Sequence, residues 1–138
     1  MDGENFAAAP VERILSRFPG VILAAVYAVP DVEVGDQVMA ALELANPDAF
    51  DSDGFAAFLA AQNDLGTKWA PRYIRLSKSL PVTQTSKVQK RLLRPERWEC
   101  GEPVLWSPKR GEAYRRITQT DIAEIQRAFE ARGRSNLL

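Results

Sequence analysis

Val21–Leu44, VILAAVYAVPDVEVGDQVMAALEL, holds two apolar runs on either side of one break. The first, Val21–Val29, is short, rich in valine and apolar throughout, which is the texture of a buried strand. Pro30-Asp31 breaks it, and Gly35-Asp36 lies near the far end of the connection. Gln37–Leu44 then reads as a second strand. Two such runs in succession predict a hairpin with a longish loop, and the remaining elements are read outward from it.

Upstream, Val11, Ile14, Leu15 and Phe18 recur at 0, +3, +4 and +7, one face of a helix. Pro10 suits its first turn and Pro19-Gly20 ends it. Downstream, Asn46-Pro47-Asp48 is a loop. Asp51 or Ser52 is positioned to cap a second helix bearing Phe55, Phe58, Leu59 and Gln62, which Gly66 stops. Tyr73–Leu76 alternates as a third strand. Ser79–Leu93, SLPVTQTSKVQKRLL, passes from a proline through a hydroxyl-rich loop into a short basic helix. Beyond Trp98, Val104–Trp106 reads as a short strand and Tyr114–Ile117 follows a Ser-Pro-Lys-Arg-Gly turn. Thr118 or Thr120 then caps a last helix with Ile122, Ile125, Ala128 and Phe129 on one face. Arg132–Leu138 is expected to fray. The sum is an α+β fold: a small antiparallel sheet of about three strands covered by helices, plus a C-terminal hairpin and helix.

The composition narrows the chemistry. The 138 residues make one domain's worth of chain. The longest apolar run, Val21–Pro30, falls short of the roughly 20 residues that span a bilayer. The opening MDGENF has no basic or apolar leader pattern, so a soluble cytoplasmic protein is expected. The sequence has one cysteine, Cys100, and no histidine. An intrachain disulfide, Cys–His zinc sites, Ser-His-Asp and Cys-His catalysis are thereby excluded. Any chemistry falls to lysine, arginine, carboxylates or backbone groups.

Net charge is zero but unevenly spread. Residues 1–67 carry eleven acids against two bases, whereas residues 68–97 carry nine bases against one acid, Glu96. A basic field of that kind favours an anionic partner, such as the phosphates of a nucleotide or of CoA, or a nucleic acid. The plain alternative is a solvated basic face answering an acidic one.

Thr83, Thr85, Ser86 and Lys87 share a loop that leads into the basic helix. Lysine offers a mobile point charge with three donors, suited to phosphate or carboxylate oxygens, and the hydroxyls can hold the loop or donate to the same anion. The loop lacks the glycines of a phosphate-binding P-loop. Gly3-Glu4-Asn5 is a second candidate, a glycine that permits close backbone approach followed by two polar side chains.

The order Gly3-Glu-Asn-Phe, Pro10-Val-Glu-Arg-Ile-Leu, Phe18-Pro-Gly-Val, Ala25-Val-Tyr-Ala-Val-Pro-Asp, Gly35-Asp, Ala70-Pro-Arg and Leu80-Pro-Val-Thr-Gln-Thr-Ser-Lys runs from Asp2 to about Arg94. It closely resembles the C-terminal domain of the ANL superfamily, the AMP-binding, adenylate-forming enzymes. The tail, with Trp98, Glu102-Pro-Val-Leu-Trp, Tyr114, Ile117-Thr118 and Ile125, resembles the fatty-acid-transport-protein and very-long-chain acyl-CoA synthetase branch.

That resemblance implies a ligase of fatty acid metabolism that works in two steps. A fatty acid and Mg-ATP give acyl-adenylate and pyrophosphate, and CoA then displaces AMP. Residues 1–97 would be the mobile lid and 98–138 an extension packed on it. Lys87 would be the adenylation lysine, with Thr85 and Ser86 beside the nucleotide. Gly3, Glu4 and Asn5 would face the pantetheine arm, and Lys68 and Arg72 the CoA phosphates. The partner would be the N-terminal adenylation domain of the same polypeptide, which would hold the Mg, with the hinge just upstream of Met1. The isolated domain would be inactive, with no metal site of its own and no nucleic acid to bind. Enzymes of this type often meet lipid surfaces, so a peripheral membrane contact belongs to the same expectation. Ser86 departs from the family pattern, which usually has glycine before the lysine.

Two readings from other classes stand beside this one. A stand-alone anion- or nucleic-acid-binding module would use residues 68–97, though its strands lack the aromatic residues on which single strands stack. An interaction domain would dock a partner through the acidic first half. Within the family, an enzyme that passes its adenylate to a carrier protein is a further variant.

Overall fold

The computed structural model describes residues 8–32, 35–65, 70–109, 113–133 and 138. Helix α1 (Ala8–Leu15) leads into strands β1 (Val21–Asp31) and β2 (Gly35–Leu44). A 3-10 turn at Pro47–Ala49 and helix α2 (Ser52–Ala61) follow, then β3 (Tyr73–Ser77) and the single-turn helix α3 (Lys90–Leu93). Strands β4 (Val104–Trp106) and β5 (Arg115–Arg116) and helix α4 (Gln119–Ala131) complete the chain.

The α+β class holds, with helices over one sheet and a terminal hairpin and helix. The sheet differs from expectation: it is five-stranded, in the order β1-β2-β3-β4-β5, and mixed. β1–β2, β3–β4 and β4–β5 are antiparallel, but β2 and β3 run parallel, with Met39 opposite Tyr73 and Leu42 opposite Leu76. The reason is the helix between them: α2 returns the chain to the starting end of β2, as a parallel neighbour requires. The first hairpin is also tighter than its sequence suggests. Asp31 pairs with Gly35, and Pro30 with Asp36, so β1 continues through the proline. β1 is an edge strand, where a missing N–H costs no ladder bond. Gly35, at φ +90°, supplies the left-handed turn that so short a connection needs.

Alternation along the strands separates two cores. Val26, Ala40, Leu42, Ile74, Leu76 and Leu105 face α1 and α2, meeting Val11, Leu15, Phe55 and Leu59. Phe18, Phe50, Phe55 and Phe58 cluster on that side, Phe18 meeting Phe50 and Phe55 edge-to-face and lying 5.0 Å from Phe55. Tyr27, Val29, Met39, Ala41, Tyr73 and Val104 face the other way and meet Leu80, Leu93, Trp98 and Ile122.

Residues 98–138 supply β4, β5 and α4, and a stacked column fixes them to β3. Tyr73 lies 4.8 Å from Trp98 and 6.3 Å from Trp106. Arg97 covers Trp98 at 5.6 Å and Arg115 covers Trp106 at 5.0 Å. Each guanidinium sits on a π face, where the ring quadrupole attracts a cation. The Tyr114 hydroxyl donates to the Pro71 carbonyl, closing the same junction.

Helix caps follow the sequence signals. Asp51 caps α2 by accepting from Gly54 N. Thr118 and Asp121 form a reciprocal capping box at α4, and Arg115 donates to both Asp121 oxygens at 2.8 and 3.0 Å. The hydrogen bond from Arg115, with those from Thr118, holds the Asp121 carboxyl down at about 2. A depressed carboxylate stabilises the fold fully above its unfolded value near 4, and that contribution is lost as pH falls through about 2. Urea titrations of wild type and Asp121→Asn between pH 6 and pH 2 test this. Wild type is expected to lose its advantage over the variant across that window, and a constant difference would contradict it.

Candidate functional site

The loop between β3 and α3 is closed on itself. Val82 and Val88 form an antiparallel bridge, and Gln89 N donates to the Pro81 carbonyl at 2.9 Å. Inside the bridge, Thr83 N donates to the Lys87 carbonyl at 2.8 Å and Ser86 N to the Thr83 carbonyl at 2.9 Å. Lys87 N donates to Thr83 Oγ1 at 3.2 Å, and the hydroxyls of Thr83 and Thr85 lie 3.0 Å apart. Thr83 organises the turn, through both backbone and hydroxyl, more than the expected Thr85. The loop-forming habit of a threonine that bonds its own neighbouring backbone was the signal for it.

Ser86 has φ +63°. This is the left-handed region that glycine enters freely and an L-residue with a Cβ enters at a cost of about 1–2 kcal/mol. Ser86, where the resemblance expects glycine, thus holds a backbone conformation that glycine enters without that cost. Residues 83–87 are exposed, so Lys87 projects from a structured tip. None of the ion pairs among the described residues includes it. Its neck is anchored where Leu80 and Leu93 enter the core and where Glu43 accepts from Leu80 N at 2.8 Å.

Of the other cations of the basic segment, Lys78 and Arg91 are exposed, whereas Arg72, Arg75, Lys90 and Arg97 are each engaged within the fold. Arg72 donates to the carbonyls of Ser107, at 2.7 Å, and Pro108, which clamps the end of β4. Arg75 is buried and pairs with Glu96 at 2.8 Å and Glu102 at 2.6 Å. Burial alone disfavours its charge, but the two carboxylates outweigh that and hold the guanidinium above its ordinary range. Ser77 Oγ donates within the same cluster, where both Glu102 Oε2 and the Ser79 carbonyl lie in reach. Lys90 pairs with Glu12 at 2.9 Å, and Arg97 lies over Trp98. Glu96, the segment's one acid, is thus the partner of its most buried base. A continuous basic strip of the kind a nucleic acid tracks does not form from these residues.

The structure brings Thr85, Ser86 and Lys87 together on one loop and sets Arg72 at the β3–β4 junction. Gly3, Glu4, Asn5 and Lys68 lie outside the described residues. Cys100 is half-buried, and burial pushes its thiol up, away from the reactive thiolate.

No protein-family model matches the chain. Curated relatives do. It is 49% identical over its whole length to a steroid-22-oyl-CoA synthetase of Rhodococcus jostii, of which it spans 25%. It is 54% identical over 75% of its length to a medium/long-chain-fatty-acid–CoA ligase, FadD17, of Mycobacterium marinum, spanning 21% of that enzyme. Among solved structures, apo MatB of Rhodopseudomonas palustris matches 65% of the chain at TM-score 0.58 and 27% identity, over 18% of its own length. The amide bond synthetase McbA of Marinactinospora thermotolerans matches 64% of it at TM-score 0.55 and 33% identity, over 17% of its own length.

The fold is that of a C-terminal domain of an adenylate-forming enzyme. The chain belongs to the ANL family of acyl-CoA synthetases, as the part that corresponds to their C-terminal domain. It spans a quarter or less of the length of the curated relatives named here.

The Ser86 geometry is testable by denaturant melts. Ser86→Gly is expected to be near-neutral, since relief of the left-handed strain offsets the added freedom of the unfolded chain. Ser86→Val, β-branched in the same region, is expected to cost about 1–2 kcal/mol. Equal stability of the two variants would contradict the left-handed assignment.

Proposed function

We propose that this chain is the lid of an ATP-dependent acyl-CoA ligase, with residues 1–97 as the moving body and 98–138 as its extension. The whole enzyme activates a carboxylic acid to its acyl-adenylate and passes the acyl group to CoA. The names of the relatives suggest a fatty acid or a steroid side-chain carboxylate as the substrate class. ATP and CoA are cytoplasmic substrates, and the chain acts there in this reading.

The observation that carries the reading is Lys87 itself: an exposed ammonium on a hydrogen-bonded tip, in no ion pair among the described residues. In adenylation, the carboxylate oxygen attacks the α-phosphorus and pyrophosphate leaves. Negative charge gathers on the phosphoryl oxygens as it does so. One preorganised ammonium between the carboxylate and the α-phosphate stabilises that charge more than it stabilises the separated substrates. The turn around Thr83 fixes the backbone from which it reaches, so little of that gain is lost to ordering.

Among the described residues no group of three or more Cys, Asp or Glu side chains gathers as a metal site. Mg in this reading arrives with ATP and is held by the N-terminal adenylation domain. Gly3, Glu4, Asn5, Lys68 and Arg72 belong to the CoA-facing side of the proposal. For Arg72, whose guanidinium already holds two carbonyls, any contact with phosphate requires an exchange of partners.

The test joins the chain to its upstream region and measures the two half-reactions separately. Lys87→Ala is expected to lower pyrophosphate release by roughly 10²–10³-fold, the usual effect of deleting one transition-state donor. It is expected to spare thioester formation from supplied acyl-adenylate. If both half-reactions are untouched, the loop has no catalytic part and the reading fails.

A further inference from the structure

Glu12 lies in α1, on one side of the sheet, and its carboxylate reaches the sheet's open edge. There Oε2 accepts from the Val26 backbone N–H at 2.7 Å and from Lys90 Nζ at 2.9 Å. Among the described residues β1 is an edge strand, and the Val26 N–H meets no strand on that side. Lys90 opens α3, whose Leu93 packs into the core on the opposite face from α1. One carboxylate thus ties together the two layers and the edge between them. The Glu12 and Lys90 side chains are only 23% and 20% exposed, so the pair is screened far less than a surface ion pair.

Lys90 stands three residues after Lys87, at the start of α3 and two residues past the Val82–Val88 bridge. The loop tip is closed within itself, but a self-closed tip can still swing on its neck. Leu80 and Leu93 hold that neck by packing, and Glu43 accepts from Leu80 N on the β3 side, which leaves the α3 side to be directed by its own contacts. A charged contact just past the tip, in which one carboxylate oxygen also holds the edge backbone, fixes direction as well. The Lys87 side chain forms no such contact with the body among the described ion pairs, so its aim is inherited from the backbone that carries it.

We infer that Glu12 is a positioning residue for Lys87, aiming the loop through its ion pair with Lys90 across the edge of the sheet. The inference rests on the reading of Lys87 as the adenylation lysine. Misplacing a reacting group by about 1 Å costs as much as 10²-fold in rate, and loss of one of several anchors should cost less.

Glu12→Gln separates the two roles of the carboxylate, since an amide oxygen still accepts from Val26 N–H but carries no charge for Lys90. In the enzyme joined to its upstream region, Glu12→Gln is expected to lower the adenylation rate about tenfold. Thioester formation from supplied acyl-adenylate is expected to stay within about twofold of wild type. Lys90→Gln should match it, and Lys90→Arg, which keeps the pair, should restore adenylation. In the chain itself, hydrogen exchange should quicken at the Lys87 and Gln89 amides in Glu12→Gln while Val26 stays protected.

Equal loss in both half-reactions, or failure of Lys90→Arg to differ from Lys90→Gln, would overturn the positioning role. So would unchanged exchange at Lys87 and Gln89. Lys87→Ala distinguishes the two levels. If it abolishes adenylation while Glu12→Gln leaves it whole, only the role of Glu12 falls. If Lys87→Ala itself leaves adenylation intact, the reading of the loop falls and takes the role of Glu12 with it.

Discussion

Strand β2 has neighbours on both edges and apolar cover on both faces, and the rest of the molecule is arranged to satisfy it. Residues 38–42 are buried without interruption, Val38, Ala40 and Leu42 toward α1 and α2, Met39 and Ala41 toward the opposite layer. A strand of that kind cannot leave a backbone group or a side chain in water, so it demands a partner strand on each edge and a layer on each face. β1 meets one edge through a tight hairpin. The other edge needs a strand arriving from the same end, which is why α2 intervenes and β3 runs parallel. The two helical layers then differ in job: one seals the phenylalanine cluster, and the other, through Leu80 and Leu93, roots the loop that carries Lys87.

Charge is handled by the same economy. The basic segment contains the loop lysine and also the cations that secure it, and the two kinds are told apart only by where their side chains go. Arg75 is drawn into the sheet by Glu96 and Glu102, Arg72 by two carbonyls, Lys90 by Glu12, and Arg97 by the face of Trp98. Buried pairs of this sort are costly to break because the partner left behind is then uncompensated. They contribute rigidity around the neck of the loop, and the exposed lysine at its tip gains a defined origin.

Much of the fold was legible in the chain because local rules and burial agreed. The 0, +3, +4, +7 spacing of Val11 to Phe18, the two apolar runs around Pro30, the Asp51 cap and the Thr118 cap each appear where the residues direct. Val104–Trp106 forms a strand over those same residues. Pro30 misled, because a proline that would break an internal strand is harmless on an edge. Of the site, the Thr83–Lys87 loop was legible from its hydroxyls and its place before a basic helix. The organising part of Thr83 was only half visible, and the role of Glu12 was not visible at all, since nothing in a helical glutamate announces a contact 78 residues further along the chain.

The sequence by itself determined the periodicities, the caps, the absence of histidine chemistry and the lysine available to replace it. Those depend on neighbours within a few residues or on composition. Only the tertiary structure decided strand order, the parallel pairing of β2 with β3, and which cations face inward. These depend on side chains far apart in sequence meeting across one sheet, and on the desolvation of charges that looks identical in a list of lysines and arginines. The left-handed backbone of Ser86 belongs to the same class: the residue does not choose that conformation, and the closed Val82–Val88 bridge imposes it.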